Sequence, residues 1–301
     1  MAAINSSAVV DTLDANLGSI WLDGLEKWDD EYSKVFNIMD SSKQNEKGSY
    51  LSGFQAMPAK SEGVGATYDA IQPGISSVLT HRTYAMGYEI TEEAVEDNLY
   101  TPETFNKLPQ ALNTSAMHTA EVQSANVFNN GFSTNGYDGV PLFSTSHVNT
   151  DNSTISNRPT TNVDLSVTSL TAGITTVEDY TNERGLKLPT KMRMLYVPTA
   201  LWAVAEELLN STYKPYSANN EINALQSREL MSFVGHYLTD TDAWFLLSRK
   251  EDNELVFWWR VRLGQLRRGN DFDSTNLKHL ARMRFSVGHY HWKGTYGTAG
   301  G

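Results

Sequence analysis

Two histidines near the C-terminus have a spacing that could bind a metal ion. His289 and His291 are two positions apart in a segment with strand-like alternation, which puts both imidazoles on one face of a strand. No carboxylate lies close to them in sequence, whereas Arg284 and Trp292 do. The pattern therefore favours a structural or interfacial role, and we expect no bound metal.

Paired carboxylates are the second set of candidates. Asp240 with Asp242 and Asp271 with Asp273 could bind calcium or serve as an acid and a base. Neither pair has the glycine and the distal glutamate of a calcium-binding loop, so solvated turn residues are the favoured interpretation.

Tryptophans beside arginines could stack on sugars or bases. Trp258 and Trp259 stand next to Arg260 and Arg262, and packing of a sheet edge against a neighbour is the favoured interpretation of this cluster. A glycan-binding β-rich protein stays open as an alternative function. Its stacking platforms would be Trp244, Trp258, Trp259 and Trp292.

No catalytic motif is recognisable elsewhere. The chain has no phosphate-binding loop and no nucleophile elbow, and Gly63-Val64-Gly65 lacks the third glycine of a dinucleotide fingerprint. Cysteine is absent, which removes disulfides, thiolate nucleophiles and cysteine-ligated zinc. We therefore expect neither an enzyme nor a cofactor.

The charge argues against a protein that mainly holds nucleic acid. The net charge is −11, and 78 of the 301 residues are Asn, Ser or Thr. Residues 1–110 carry 7 basic against 17 acidic side chains, whereas residues 249–293 carry 10 against 5. An acidic front could thus attract a basic back within or between copies. Neither a secretory signal nor an apolar run long enough to span a membrane is visible, and we expect no membrane partner.

The elements that must position these residues follow from periodicity. Residues 12–40 begin as an amphipathic helical arm, and glycines break residues 48–89 into an extended, hairpin-like excursion with little core of its own. A long helix runs from Pro102 to about Gly131, with Pro109 expected to kink or restart it. Residues 132–163 form a loop, and a second helix ends before Gly185.

The second half of the chain alternates strands and helices irregularly. Strands are predicted over 192–197, 233–238, 244–247, 257–263 and 281–292, with a helix that starts at Pro198. In the strand 257–263, alternation puts Arg260 and Arg262 on one face. Mixed order without a βαβ rhythm predicts an α+β fold.

Three segments resemble a known family. Residues 84–100, YAMGYEITEEAVEDNLY, are similar to the stretch that leads into the long helix of tailed-bacteriophage major capsid proteins, including the phage Mu-like head subunits. Residues 138–143, DGVPLF, followed by Ser146-His147, are similar to a loop of the same group, and residues 282–288, RMRFSVG, resemble its C-terminal strand.

The resemblance implies the Hong Kong 97 capsid fold. Residues 1–45 would then be the N-terminal arm and 46–90 the extended loop. A peripheral domain with a long spine helix would comprise 91–190, with an insertion at 132–163, and 264–301. An axial domain would comprise 191–263.

The function implied by the resemblance is that of a major capsid protein that self-assembles into an icosahedral head enclosing double-stranded DNA. Its partners would be its own copies in hexamers and pentamers, a separate scaffolding protein, and portal and decoration proteins. DNA would be enclosed without sequence-specific binding, in a virion assembled in the host cytoplasm. The chain starts at Met1 with little room for a removable scaffolding segment. An encapsulin-like compartment stays open as an alternative.

Six residues are the candidates for contacts between subunits. Four are cations on the C-terminal strands and two are aromatic residues of the excursion: Arg260, Arg262, Arg282, Arg284, Tyr50 and Phe54.

Overall fold

The computed structural model describes residues 17–71, 73–91, 93–94, 102–149, 153–182, 184–216, 221–270 and 276–301. The helices are α1 (residues 17–26), α2 (Tyr32–Val35), α3 (Pro102–Asn129), α4 (Val167–Glu178) and α5 (Trp202–Asn210). No helix within these ranges is both long and apolar enough to cross a membrane. The element order is mixed, which confirms the α and β content expected from the sequence.

The strands of the first half are β1 (Asn37–Asp40), β2 (Asn45–Leu51), β3 (Pro73–Thr80), β4 (Arg82–Ile90), β5 (His147–Val148) and β6 (Thr154–Ile155). Those of the second half are β7 (Met192–Pro198), β8 (Met231–Gly235), β9 (Trp244–Ser248), β10 (Leu255–Val261), β11 (Arg267–Asn270), β12 (Leu277–His289) and β13 (Thr295–Thr298).

The larger sheet is built around β12. This strand pairs with β4 along one edge and with β10 and β11 in succession along the other, while β1 lies parallel to β10. Ala281, Met283 and Phe285 are buried on one face, and β12 packs against α3. Strands alternate their side chains between two faces, so the residues between them point to the other face.

The smaller sheet has the order β13-β9-β7-β8, with β8 parallel to β7 and the other neighbours antiparallel. Each residue of β9 is buried, as expected for a strand covered on both faces. The strand that follows β9 in sequence, β10, belongs to the larger sheet, whereas the C-terminal strand β13 returns to the smaller sheet beside β9.

The first part of the predicted excursion is a hairpin. Within the described residues, β2 and β3 pair with each other and with no other strand, from Asn45 opposite Thr80 to Leu51 opposite Pro73. The prediction extended the excursion to residue 89, but β4 pairs with β12, so residues 82–90 belong to the larger sheet. Residues 52–71 continue beyond the last pair without a helix or strand. Two strands bury too little apolar surface to be stable alone.

The long helix α3 is continuous through Pro109, so the predicted restart at this residue is wrong. Proline removes one backbone hydrogen bond, but packing on both sides of it holds the helix: Leu108 contacts a small cluster around Leu17 and Ile90, and Leu112 is buried against Trp21. The same contacts fix α1 on the subunit, since the indole of Trp21 also donates to the carbonyl of Gly264 at 2.7 Å.

Phe128 of α3 lies at the centre of the main core. Its ring is 5.9 Å from that of Phe36, 6.4 Å from Phe143, 5.1 Å from Tyr196 and 5.2 Å from Phe245, measured between centroids. These rings belong to the arm, the segment 132–163 and the smaller sheet. One side chain thus joins the long helix to three other parts of the chain.

A buried carboxylate of α3 holds the start of α2. Glu121 accepts hydrogen bonds from the backbone N–H groups of Glu31 at 2.9 Å and Tyr32 at 3.1 Å, and from the Trp28 indole at 3.4 Å. These are the N–H groups that a helix start leaves unpaired. Glu31 in turn accepts from the backbone N–H of His236 at 3.1 Å. Burial raises the pKa of Glu121 to about 7, against the lowering effect of its hydrogen bonds.

The segment 132–163 is organised by a buried histidine. His147 Nδ1 lies 2.6 Å from an Asp138 oxygen, and Nε2 lies 3.1 Å from Asn157 Oδ1. Asn157 Nδ2 donates to the Leu142 carbonyl at 2.7 Å, which fixes Oδ1 as the acceptor. Asp138 and Asn157 thus hold the imidazole of His147 from both sides. The ring also stacks on Trp292, with centroids 4.5 Å apart.

Three predicted strands have different bounds in the structure. The C-terminal strand ends at His289 instead of residue 292, because the chain turns at Gly294, where φ is +86°, and returns beside β9. The strand predicted over 257–263 is Leu255–Val261 and carries a bulge between Trp259 and Val261. The strand predicted over 233–238 is Met231–Gly235.

Five short strands, β1, β5, β6, β11 and β13, are absent from the sequence-based prediction. Each has four residues or fewer, too few for a period to be visible. The helix predicted to begin at Pro198 starts with a 3-10 turn, Thr199–Leu201, before α5.

Glu121→Gln is expected to change the pH dependence of stability. The folded-state pKa of Glu121, about 7, exceeds its ordinary value of 4.5, so protonation favours the folded state. The contribution is fully present below pH 4.5 and is lost as the pH rises towards and past 7, by at most about 3 kcal/mol. Urea unfolding between pH 5 and 8 should show this decline in the wild type and a flatter curve in the variant. Parallel curves would contradict the assignment.

Removing either member of the Asp138–His147 hydrogen bond should destabilise the subunit by about 1–3 kcal/mol, because a buried polar atom of the other residue then loses its partner. Both side chains are at least nine-tenths buried. In a double-mutant cycle of Asp138→Asn and His147→Gln, the double variant should lose clearly less than the sum of the single losses, measured by urea unfolding. Additive losses would show that the two groups do not interact.

Candidate functional site

The histidine candidates do not form a shared surface site. Strand β12 ends at His289, so the predicted shared strand face with His291 is wrong, and His291 is buried while His289 is half-buried. Burial lowers the pKa of His289 to about 4 and that of His291 further, which makes both neutral at pH 7. Within the described residues, no group of three or more His, Asp or Glu side chains is placed to hold a metal ion.

The other chemical candidates have structural roles or lie outside the described residues. Asp240 accepts from the backbone N–H of Asp242 at 3.1 Å in an exposed turn, as expected for solvated turn residues. Asp271 and Asp273 lie outside the described residues.

The tryptophans cannot form a sugar-binding platform. Trp244, Trp259 and Trp292 are buried, and Trp258 donates its indole N–H to the Tyr290 hydroxyl at 2.7 Å. The glycan-binding alternative required these rings at the surface, and their burial contradicts it.

The end of the excursion is the most exposed apolar surface of the described chain. We call residues 54–68 the excursion tip. The side chain of Met57 is 97% exposed, that of Tyr68 94%, that of Val64 60% and that of Phe54 54%. Tyr50 lies on β2, but its side chain is outside the described residues. Four large side chains on one loop exceed the scattered exposure that is normal for a soluble surface.

Three of the four predicted arginines lie on the face of the larger sheet opposite its core. We call Arg260, Arg282 and Arg284 the basic face. Arg282 and Arg284 alternate with the buried residues of β12. Within the described residues none of the three has a carboxylate at ion-pair distance, and Arg284 Nε is buried without a hydrogen-bond partner.

Arg262 is placed differently, which corrects the predicted alternation. The bulge between Trp259 and Val261 adds one residue and reverses the faces beyond it. The guanidinium of Arg262 therefore lies 5.8 Å from the Trp259 ring centre and donates from Nε to Asp40 at 2.8 Å in the same subunit. It is not available to a neighbour in the way that the basic face is.

His81 lies beside the basic face, at the junction of β3 and β4. Its Nδ1 is 3.0 Å from Ser286 Oγ, and its Nε2 is 3.0 Å from Ser41 Oγ. Burial and then the charge of Arg284 lower the pKa of His81, and Arg260 adds to this effect. The charge of Glu46 opposes this lowering, and Glu46 accepts a hydrogen bond from Ser41 Oγ at 2.6 Å on the Nε2 side of the ring.

Sequence reasoning missed a further exposed apolar set around the smaller sheet. Trp202 at the start of α5, Met231 at the start of the edge strand β8, and Tyr216 and Ile222 in the preceding loop are exposed. Apolar residues at element ends carry no period, so only their positions in the fold reveal them. Within the described residues, the arrangement offers surfaces for association.

A comparison with protein families finds a match over most of the chain. The model of a family described as phage capsid protein matches residues 75–297. A comparison with curated protein sequences finds no significant match.

Solved structures show the same fold. The procapsid protein of bacteriophage JBD30 is 14% identical with a TM-score of 0.54, over 98% of this chain and 76% of that chain. The mature capsid protein of bacteriophage PhiM1 is 9% identical with a TM-score of 0.59, over 90% and 86%. A virus-like particle from Pyrococcus furiosus is 10% identical with a TM-score of 0.54, over 94% and 98%.

These matches agree with a subunit that exposes association surfaces and buries Trp244, Trp259 and Trp292. Because the family model spans residues 75–297, the chain belongs to the phage capsid protein family and is a major capsid shell protein.

Proposed function

We propose that this capsid protein forms a closed icosahedral head around the double-stranded DNA of a tailed bacteriophage, in the arrangement of the Hong Kong 97 fold. The observation that carries the proposal is the excursion tip, whose exposed Phe54, Met57 and Tyr68 have no core of their own. Such a surface is costly in water and is covered when copies associate. Many weak, repeated contacts then give a stable shell.

The segments take the roles that the resemblance implies. The arm is 1–45, the extended loop 46–90, the spine helix is α3, and 132–163 is an insertion within the peripheral domain. The sheet pairings support two amendments to the axial domain of 191–263: β10 joins the peripheral sheet through β12, and β13 completes the axial sheet beside β9.

Its partners are first of all its own copies, in hexamers and pentamers. The exposed Trp202, Ile222 and Met231 around the smaller sheet suit contacts among axial domains. A separate scaffolding protein, a portal and decoration proteins would complete the particle, which assembles in the host cytoplasm. The net charge of −11 disfavours tight binding of DNA phosphates, which suits a shell that encloses DNA.

A second candidate is a compartment that encloses proteins. The shared fold with the virus-like particle from Pyrococcus furiosus favours it as the alternative. The two proposals differ in the contents of the particle.

Electron microscopy of the expressed protein, with and without a co-expressed scaffolding partner, tests the proposal. We expect closed particles in which the excursion tip lies on a neighbouring subunit. Nuclease-resistant DNA in particles from infected cells would support a head, and protein contents would support a compartment. A protein that stays monomeric at high concentration, in low and high salt and with a partner supplied, would contradict both.

The basic face should make salt-sensitive contacts between subunits. Exposed ion pairs contribute at most about 1 kcal/mol each, but each subunit repeats them around the shell. Arg282→Glu and Arg284→Glu should therefore leave most of the protein unassembled while the subunit stays folded, as measured by sedimentation and circular dichroism across a salt series. Lys191→Glu, at another exposed cation, is the matched control. Unchanged assembly and salt dependence in both arginine variants would show that apolar contacts carry the interfaces.

A further inference from the structure

Arg184, which lies outside the excursion, forms hydrogen bonds with both sides of the excursion in its own subunit. Arg184 Nη2 donates to Asp69 Oδ1 at 2.9 Å and to the Ala70 carbonyl at 2.8 Å on the returning side. Its Nε donates to the Gly53 carbonyl at 3.3 Å on the outgoing side. The guanidinium has its donors in a fixed planar fork, so bonds to both sides set their relative position.

Hydrogen bonds of Asn182 stabilise the turn that carries Arg184. Asn182 Oδ1 accepts from the backbone N–H groups of Arg184 at 2.9 Å and Leu186 at 2.8 Å. The backbone N–H of Asn182 donates to the Leu186 carbonyl at 2.7 Å, and Gly185 adopts φ of +77°, which suits glycine. This turn follows α4, so the arginine projects from the body of the subunit.

Asp69 links the two sides of the excursion to each other and to Arg184. Its Oδ2 accepts from the Gln55 N–H at 3.0 Å, across the two sides, while Oδ1 receives Arg184. The Gln55 hydrogen bond lowers the pKa of Asp69, and the Arg184 charge lowers it further, so the carboxylate is ionised at neutral pH. The side chain of Arg184 is only 15% exposed.

These bonds lie beyond the last pair of the β2–β3 ladder, Leu51 opposite Pro73, and directly before the excursion tip. Besides these bonds, the two-stranded ladder and the buried Ser52 at its end join residues 52–71 to the body. The bonds to Arg184 hold both sides of the excursion beyond Ser52 and so help to set the direction in which the tip leaves the subunit.

We propose that Arg184 is a positioning residue for assembly, which presents the excursion tip to the neighbouring subunit in one orientation. This inference rests on the proposed function. Ordering a loop before association lowers the entropy that binding must overcome, so a fixed tip associates more readily than a free one.

Spin-label distances test the orientation directly, because the chain has no cysteine of its own. Labels at Met57→Cys in the tip and Thr175→Cys on α4 report the tip position in unassembled subunits. We expect a narrow distance distribution in the parent and a broad one with Arg184→Gln. Lys187→Gln is the matched control, since it removes the ion pair to Asp179 in the same turn without touching the excursion.

Assembly is measured on unlabelled protein by light scattering. Arg184→Gln should assemble at least about tenfold more slowly, which corresponds to 1.4 kcal/mol, with an unchanged thermal midpoint, while Lys187→Gln behaves like the wild type. Asp69→Asn, in an exposed loop, is the second variant if Arg184→Gln folds poorly.

The outcomes separate the two proposals. A narrow distribution in Arg184→Gln, or a broad one with unchanged assembly, would overturn the positioning role while the shell function stands. A wild type that never forms particles would instead overturn the proposed function, and with it any role in assembly, whatever the distances show.

Discussion

The fold of the subunit depends on the packing of α3 against the arm, the segment 132–163 and the smaller sheet. Phe128 joins rings from the arm, the segment 132–163 and the smaller sheet, and Glu121 on the same helix caps α2. Small residues make this close approach possible: Ala120 is buried, and Ser124 is buried with its hydroxyl bonded to the Ala120 carbonyl at 2.8 Å. Helices in proteins draw most of their stability from such packing and little from intrinsic propensity, and this helix also contains Pro109.

The interior and the outward surfaces differ in how their groups are partnered. Inside, Asn157 bonds to Leu142, Ser144 and His147, although the indole N–H of Trp259 is buried without a hydrogen-bond partner in the described chain. Outside, the excursion tip exposes large apolar groups and Arg284 keeps a buried Nε without a partner in the described chain. A protein that acted as a monomer would be expected to cover or pair these groups. In a shell protein they are the surfaces that a neighbour completes, each contributing little and many contributing together.

A single extra residue in β10 divides the arginines between two tasks. Because the bulge reverses the faces after Trp259, Arg262 turns to Asp40 and holds the edge strand β1, whereas Arg260 stays with Arg284 beside His81. Without the bulge, strict alternation would put Arg260 and Arg262 on one face. A bulge is a local adjustment of the backbone with no sequence period, so the sequence WWRVR does not indicate one.

The sequence by itself determined the long helix, the glycine-broken excursion, the α and β content and the resemblance to phage capsid proteins, because helical periods, turn residues and family motifs are local. It also indicated apolar residues on the excursion and a basic C-terminal region. Only the tertiary structure decided that His291 is buried, that His289 and His291 are neutral, that Trp244 and Trp292 are core residues, that β13 joins β9, and that Arg184 reaches Asp69 across 115 positions. These depend on contacts between distant segments, and the burial or partner of a side chain is set by which segments meet, a property that no local pattern encodes.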